Sequence, residues 1–230
     1  VDSVADGPRT TVAVAGGDAF TFGYAEHREL LEAAGANVVV FDPLHDRMPG
    51  DTAAVVLPGG FPEEHSADLA ANAELLAQIR ELAASGAPIH AECAGLLYLA
   101  RSLGDHPMAG VIGVDATFGS RLTLGYRDAV ALGESVLFEA GERVTGHEFH
   151  RTSLDSDVAD GFAPAWGWRP WDGAPAREGF TGAGVHASYL HTHPAGHPKA
   201  VGRFVAAARE YAAGPTSCIG VGFGSGVTAE

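Results

Sequence analysis

Ala87-Pro88-Ile89-His90-Ala91, then Glu92-Cys93, then Ala94-Gly95-Leu96-Leu97-Tyr98-Leu99 is a short apolar run, an acid and a thiol, and a second apolar run. The first run has the length of a buried strand, and Leu96 to Leu103 that of an apolar helix. Cys93 then falls on the tight turn between them. A strand-to-helix elbow exposes its side chain at the sheet edge and aims a helix N-terminus at it. That terminus lowers a thiol pKa, so the expectation is a Cys93 that favours thiolate. Ala91, Ala94 and Gly95 are small enough to let the backbone turn. A lone cysteine more often only packs, and both readings stay open on this stretch alone.

Upstream, Thr11 to Ala15 is a β-branched apolar run closed by Gly16-Gly17, and Asn37 to Phe41 is a second. Ala53 to Leu57 is a third, stopped by Pro58-Gly59-Gly60. Helical spacing occupies Tyr24 to Ala34, with Gly35 after it, and Leu69 to Ala84, with Gly86 after it. Strand and helix alternate as in a parallel sheet covered on both faces. Ligands of such sheets bind beyond the carboxyl ends of the strands. Gly16-Gly17, Gly59-Gly60 and Glu92-Cys93 all fall there, so three turns converge on one edge.

From about Gly110 the segments shorten. Val130 to Leu137 and Glu142 to Phe149 read as antiparallel strands, and Asp155 to Arg177 as a long loop holding Trp166, Trp168 and Trp171. Gly184 to Leu190 is a further strand ending at His191, and Pro198 to Ala213 an amphipathic helix. The division expected is a linker or leftover of a longer chain over 1–10, one domain over 11–213, and a flexible Gly-rich tail over 214–230.

The 230 residues are 46% hydrophobic, enough for a sizeable core, and no uncharged apolar stretch is long enough to cross a membrane. The formal charge of −15 argues against nucleic acid and against an anionic membrane face. Cys93 and Cys218 are too few and too differently placed for a disulfide framework. The first residues lack a basic segment and an apolar core, so no signal peptide is expected within them, and the expected location is the cytoplasm.

A nucleophilic cysteine needs a base. His191, at the end of a strand, can approach Cys93 and take its proton. His186, His191, His193 and His197 raise a metal reading. Pro194 breaks the strand that would align His191 with His193, no carboxylate or cysteine pair lies nearby in sequence, and no metal is expected. For an oxyanion, the Ala94 N–H is one donor, and the glycine turn after the third strand supplies another.

Four separated motifs together resemble the C-terminal class I glutamine amidotransferase domain of the cobyrinic acid a,c-diamide synthase family. They are Leu57-Pro58-Gly59-Gly60-Phe61-Pro62-Glu63, Ala91-Glu92-Cys93-Ala94-Gly95-Leu96-Leu97-Tyr98-Leu99, Gly146-His147-Glu148-Phe149-His150 and Ala187-Ser188-Tyr189-Leu190-His191-Thr192-His193. The resemblance runs in order from about Thr11 to Tyr211. It implies a flavodoxin-like α/β fold, mostly parallel with helices on both faces and antiparallel additions in the C-terminal half. It makes Cys93 the nucleophile and His191 the base of a glutaminase, with Gly60 and Ala94 forming the oxyanion hole. Gly59, His147, Glu148 and His193 become candidates for substrate or interdomain contacts.

The partners it implies are L-glutamine, an N-terminal ATP-binding synthetase domain or subunit, and a corrinoid whose a and c carboxylates become amides. A second copy of the chain is a further partner considered. ATP and Mg²⁺ belong to the synthetase half, and no cofactor is expected on this chain, which has no phosphate-binding loop. Nickel-sirohydrochlorin or a cell-wall lipid precursor as acceptor, or a binding module that keeps the fold without catalysis, are the alternative readings. Three departures stand out. Ala94 replaces the usual glycine, the loop Phe20 to His27 differs, and His193 stands where many class I amidotransferases carry the glutamate that orients the base.

Overall fold

A computed structural model describes residues 9–170 and 173–214. Along the chain come β1 (Thr10–Ala15), α1 (Ala25–Ala33), β2 (Ala36–Phe41), β3 (Thr52–Leu57), α2 (Ser66–Ala71), α3 (Ala73–Ala84), β4 (Ile89–Glu92) and α4 (Ala94–Leu99). Then follow β5 (Ser102–Leu103), β6 (His106–Pro107), β7 (Asp115–Ala131), β8 (Arg143–Leu154), β9 (Trp166–Trp168), β10 (Ala176–Glu178), β11 (Phe180–Gly182), β12 (Val185–Ser188), β13 (His191–Thr192) and α5 (Pro198–Ala213).

The first sheet has the order β11-β12-β4-β3-β1-β2, with every pair parallel except β11 with β12. Period-2 alternation sends side chains to two separate cores. Val55, Leu57, Ile89 and Ala91 pack with Leu75, Leu76 and Ile79 of α3 and with α4. Ala54, Val56, Val12 and Val14 pack with Leu31 of α1 and with Val201, Phe204 and Val205 of α5. Burying one such Leu, Ile or Phe side chain contributes about 1.5–3 kcal/mol. Two helical layers on one sheet are what the alternating sequence predicts.

The second sheet is the long β7–β8 hairpin, extended by β9 and β10 on one side and by β13 against β8. It starts far earlier than the expected strand. β7 opens at Asp115 and ends at Ala131, and its register shifts between Phe118 and Thr123. Residues 132–137 turn away, held by the Ser135 hydroxyl, which accepts from the N–H groups of Leu137 and Phe138.

Other boundaries moved for local reasons. The helix expected over 69–84 is two helices broken at Asn72, whose side chain accepts from the Leu75 N–H and caps α3. The helix expected over 96–103 starts at Ala94 and stops at Leu99, because Ala100 turns extended and Ser102–Leu103 pair with β6 and β7. The tryptophan segment holds strand as well as loop: Trp166 pairs with Ala131 and is fully buried beside Phe138. Trp171, Cys218, residues 1–8 and most of the expected tail lie outside the described residues.

Candidate active site

β3, β4 and β12 lie side by side in the first sheet. Their carboxyl ends therefore deliver Gly59-Gly60, Cys93 and the segment leading to His191 to one place. Adjacency in the sheet, not nearness in sequence, assembles the site.

Cys93 carries the signature of an elbow. Its φ of 49° and ψ of −96° are strained for a residue with a side chain, while its N–H donates to the Ser188 carbonyl at 2.7 Å. Its own carbonyl accepts from Leu97, which starts α4. Gly95 has to be glycine: a Cβ there would run into the Leu57 carbonyl. β3 and α4 are thereby pressed close together beneath the thiol.

The expected thiolate is not what the environment favours. Burial pushes the Cys93 thiol up to about 12, the Glu63 charge adds to the rise, and the Ala94 N–H works only partly against it. The short α4 cannot overcome desolvation. The surroundings of Cys93 in the unliganded chain thus favour the protonated thiol. Its sulfur lies 4.0 Å from the Phe149 carbonyl, on the wall of a cavity of about 240 Å³ shared with Gly60, Phe61, Glu63, Leu97 and Arg151.

His191 occupies the neighbouring cleft, with Phe22, Tyr24, His147 and Phe149. Phe22 and Phe149 line both hollows. Among the described residues no hydrogen bond joins His191 to Cys93. The imidazole ring stacks on His147 at 4.9 Å, across the pairing of β13 with β8, and its edge fits over Gly59, where a Cβ would strike the ring. Burial lowers the His191 pKa, the Glu92 charge raises it, and the net direction is down.

The remaining expected residues separate into distinct positions. Gly60 sits so close to Ala19 that a Cβ would meet its carbonyl, and the loop after β1 is tied down by Phe22 N–H donating to Gly59 O at 3.0 Å. Ala94 is fully buried at the start of α4. Glu148 faces the hairpin interior, bonded to Arg127 at 2.6 Å, and Arg127 in turn lies over Trp168. His193 lies against Tyr24 with the rings tilted at 51°, its ring accepts from the Ala195 N–H, and it lines neither cleft. His186 lies in the core beside Phe138 and Trp166. Among the described residues no cluster of three metal-ligating side chains forms.

Glu92 is the residue the sequence reading passed over. It is buried, accepts from Thr192 N–H and Oγ1 at 3.1 and 2.9 Å, and stands 3.3 Å from His90 Nε2 and 3.9 Å from His191 Nδ1. Burial opposes its charge, but His90, His191 and the Thr192 N–H outweigh it and hold the carboxyl down at about 2. A signal was present: an acid in a fully buried strand is rare unless partnered.

The parallel sheet with a thiol elbow at its centre is the class I glutamine amidotransferase fold. A solved glutamine amidotransferase superposes with a TM-score of 0.58 at 20% identity, covering 86% of this chain and 99% of that one. PurLQS from Thermotoga maritima gives 0.59 at 17%, covering 87% and 97%. The chain belongs to the CobB/CobQ-like glutamine amidotransferase domain family, whose pattern matches residues 11–199. Hydrogenobyrinate a,c-diamide synthase of Mycobacterium tuberculosis is 60% identical over 196 residues, 85% of this chain and 42% of that protein. The Streptomyces coelicolor protein of the same name is 57% identical over 203 residues, covering 87% and 40%. The cobyrinate a,c-diamide synthase of Salmonella typhimurium is 40% identical over 212 residues, covering 88% and 46%. The chain thus spans about two fifths of the length of these curated relatives. Among the described residues no helix is long and apolar enough to cross a membrane.

Proposed function

We propose that this domain hydrolyses glutamine and passes the ammonia to an ATP-dependent synthetase portion, which amidates the a and c carboxylates of a corrinoid such as hydrogenobyrinate. The observation that carries the glutaminase reading is the strained Cys93 elbow on the wall of a cavity, next to a cleft holding a buried histidine. The corrinoid acceptor rests on the names of the relatives, the separate synthetase portion on the length they have beyond this domain, and its ATP and Mg²⁺ on the resemblance carried by the four motifs alone. A zwitterionic amino acid suits the cavity, whose lining includes the acids Glu63 and Glu64 and the cation Arg151.

The chemistry follows from that placement. His191 takes the thiol proton as Cys93 Sγ bonds to the carboxamide carbon. The carbonyl electron pair moves to oxygen, to which the Ala94 and Gly60 N–H groups donate in this reading. Collapse breaks the C–N bond, His191 returns the proton to the leaving nitrogen, and a γ-glutamyl thioester remains for water to hydrolyse. With the resting thiol held near 12, productive ionisation awaits substrate and closure of the cleft. Phe22, Phe61, Phe118, Leu122 and Phe149 are exposed around the Cys93 cavity, an apolar rim that suits coverage by the synthetase portion.

In the full-length protein, Cys93→Ser is expected to abolish glutamine-dependent amidation and to leave ammonia-dependent amidation intact. A glutamine-analogue diazoketone is expected to add its mass at Cys93. No adduct together with no ammonia from glutamine would sink the reading.

A further inference from the structure

The glutamate that many class I amidotransferases carry two residues beyond the base is absent here, where His193 stands. The fold brings a different carboxylate to the same ring. We propose that Glu92, the residue directly before the nucleophile, is the positioning residue for His191, itself clamped by His90 and Thr192. The proposal rests on the glutaminase reading above.

The backbone explains why this residue can do it. On β4 the side chains alternate, so His90 and Glu92 share one face while Ile89 and Ala91 face the other core. Cys93 then reverses the backbone at positive φ. Glu92 is left inside the protein next to the segment after β12, where Thr192 donates both its N–H and its hydroxyl to Oε1. Those two bonds and His90 Nε2 at 3.3 Å engage Oε1, leaving Oε2 toward His191 Nδ1 at 3.9 Å. A carboxylate facing Nδ1 favours the proton on that nitrogen and leaves Nε2 as the basic one. It also favours the imidazolium formed when the thiol proton arrives.

A purely structural role for this carboxylate fits less well. A buried ionised acid costs more than an apolar side chain of similar size unless its partners are held closely. Glu92 spends its fourth contact on a ring that otherwise has only stacking and van der Waals support, His147 on one face and Gly59 beneath. The titratable groups near the pair are His147 and His150 from β8, His90 from β4, His186 from β12, and Tyr24 and His27 from α1 and its approach. Glu92 is the acid within 4 Å of the His191 ring among the described residues.

The test uses full-length protein and reads glutamine hydrolysis across pH. Glu92→Gln is expected to lower kcat for glutamine roughly 100-fold or more, with KM changed less than about threefold and ammonia-dependent amidation unchanged. The acid limb of kcat/KM, which reports protonation of the base, is expected to move to lower pH when the charge that supports the imidazolium is gone. Glu92→Asp, which keeps the charge, is expected to restore part of kcat and to leave the limb near its original place. A merely structural loss would lower the rate at every pH without moving the limb. That outcome, or a kcat within about threefold of the parent, would overturn the proposal. Should Glu92→Gln fail to fold, Thr192→Val removes the hydroxyl bond to the same carboxylate and is expected to cost about tenfold in kcat. An unchanged kcat there would overturn it equally. Diazoketone labelling of the parent at Cys93 is scored separately, so failure of the glutaminase reading is distinguishable from failure of this one.

Discussion

A single hydrogen atom at position 59 decides whether His191 can occupy its place. A Cβ on Gly59 would collide with His191 Cε1 and come within 3.3 Å of Phe22 Cβ. Gly59→Ala must therefore push the ring outward, while the Phe22 N–H bond to the Gly59 carbonyl can persist. A displacement near 1 Å at a reacting group costs on the order of 100-fold in rate. The expected result is a kcat for glutamine hydrolysis reduced by about that factor, with ammonia-dependent amidation retained, measured on the full-length protein. Gly60→Ala should be worse for folding, because its neighbour is the Ala19 backbone, which cannot rotate away. At this scale the sequence was informative about residue type but not about purpose. The glycine pair was legible as a turn near an oxyanion. That one member makes room for the base requires knowing that the β12 end lies beside β3 and β4, which no local pattern contains.

At the scale of elements, Asn72 shows where periodicity misleads. Leu69, Leu75, Leu76, Ile79 and Ala83 all face one core, so the apolar spacing runs across the break as though one helix continued. Asn72 interrupts it by capping α3 and by donating its amide to the carbonyls of Pro43 and Asp46, each at 2.9 Å. Asn72→Ala is expected to cost about 2 kcal/mol, one share from the cap and another from two orphaned carbonyl contacts, read as a lower denaturant midpoint at unchanged slope. Glutamine hydrolysis should be unaffected, since Asn72 lines neither cleft. The parallel strands were legible because burial on both faces leaves continuous apolar runs. The strand expected over Glu142 to Phe149 is the first part of β8, but β7 was not legible before Val130, because Phe118, Leu124 and Tyr126 are exposed and Gly119 and Gly125 interrupt the alternation. Its outer surface resembles neither a core strand nor a solvated one.

Over the whole molecule, buried ionisable groups make stability depend on pH, and they do not all act in the same direction. Glu92 is held down at about 2 against a usual 4.5, so its contribution is complete above pH 4.5 and is lost as pH falls toward 2. His186, in the core beside Trp166, is pushed down to about 3 by burial and by His90. The unfolded chain takes up that proton from pH 6.5 downward while the folded chain refuses it, so stability again falls on acidification. Glu178 opposes both. Burial pushes its carboxyl up to about 7, although the Tyr189 N–H and the Ser188 hydroxyl both donate to it. Between pH 7 and 4.5 the folded chain holds a proton there that the unfolded chain releases, so Glu178 adds stability as pH falls. Its effect ends at 4.5, where the other two continue. His27, pushed down to about 4 by burial and by His90, acts in the same direction as His186, so acid denaturation is expected to begin below pH 6.5 and to be shallower down to about 4.5 than beneath it. Glu178→Gln removes only the opposing contribution. It is expected to steepen the upper range by about 1.4 kcal/mol per pH unit while leaving the slope below pH 4.5 unchanged, measured as unfolding free energy from urea titrations at half-unit intervals. Parallel curves for the two proteins between pH 7 and 4.5 would show that Glu178 is ionised in the fold after all.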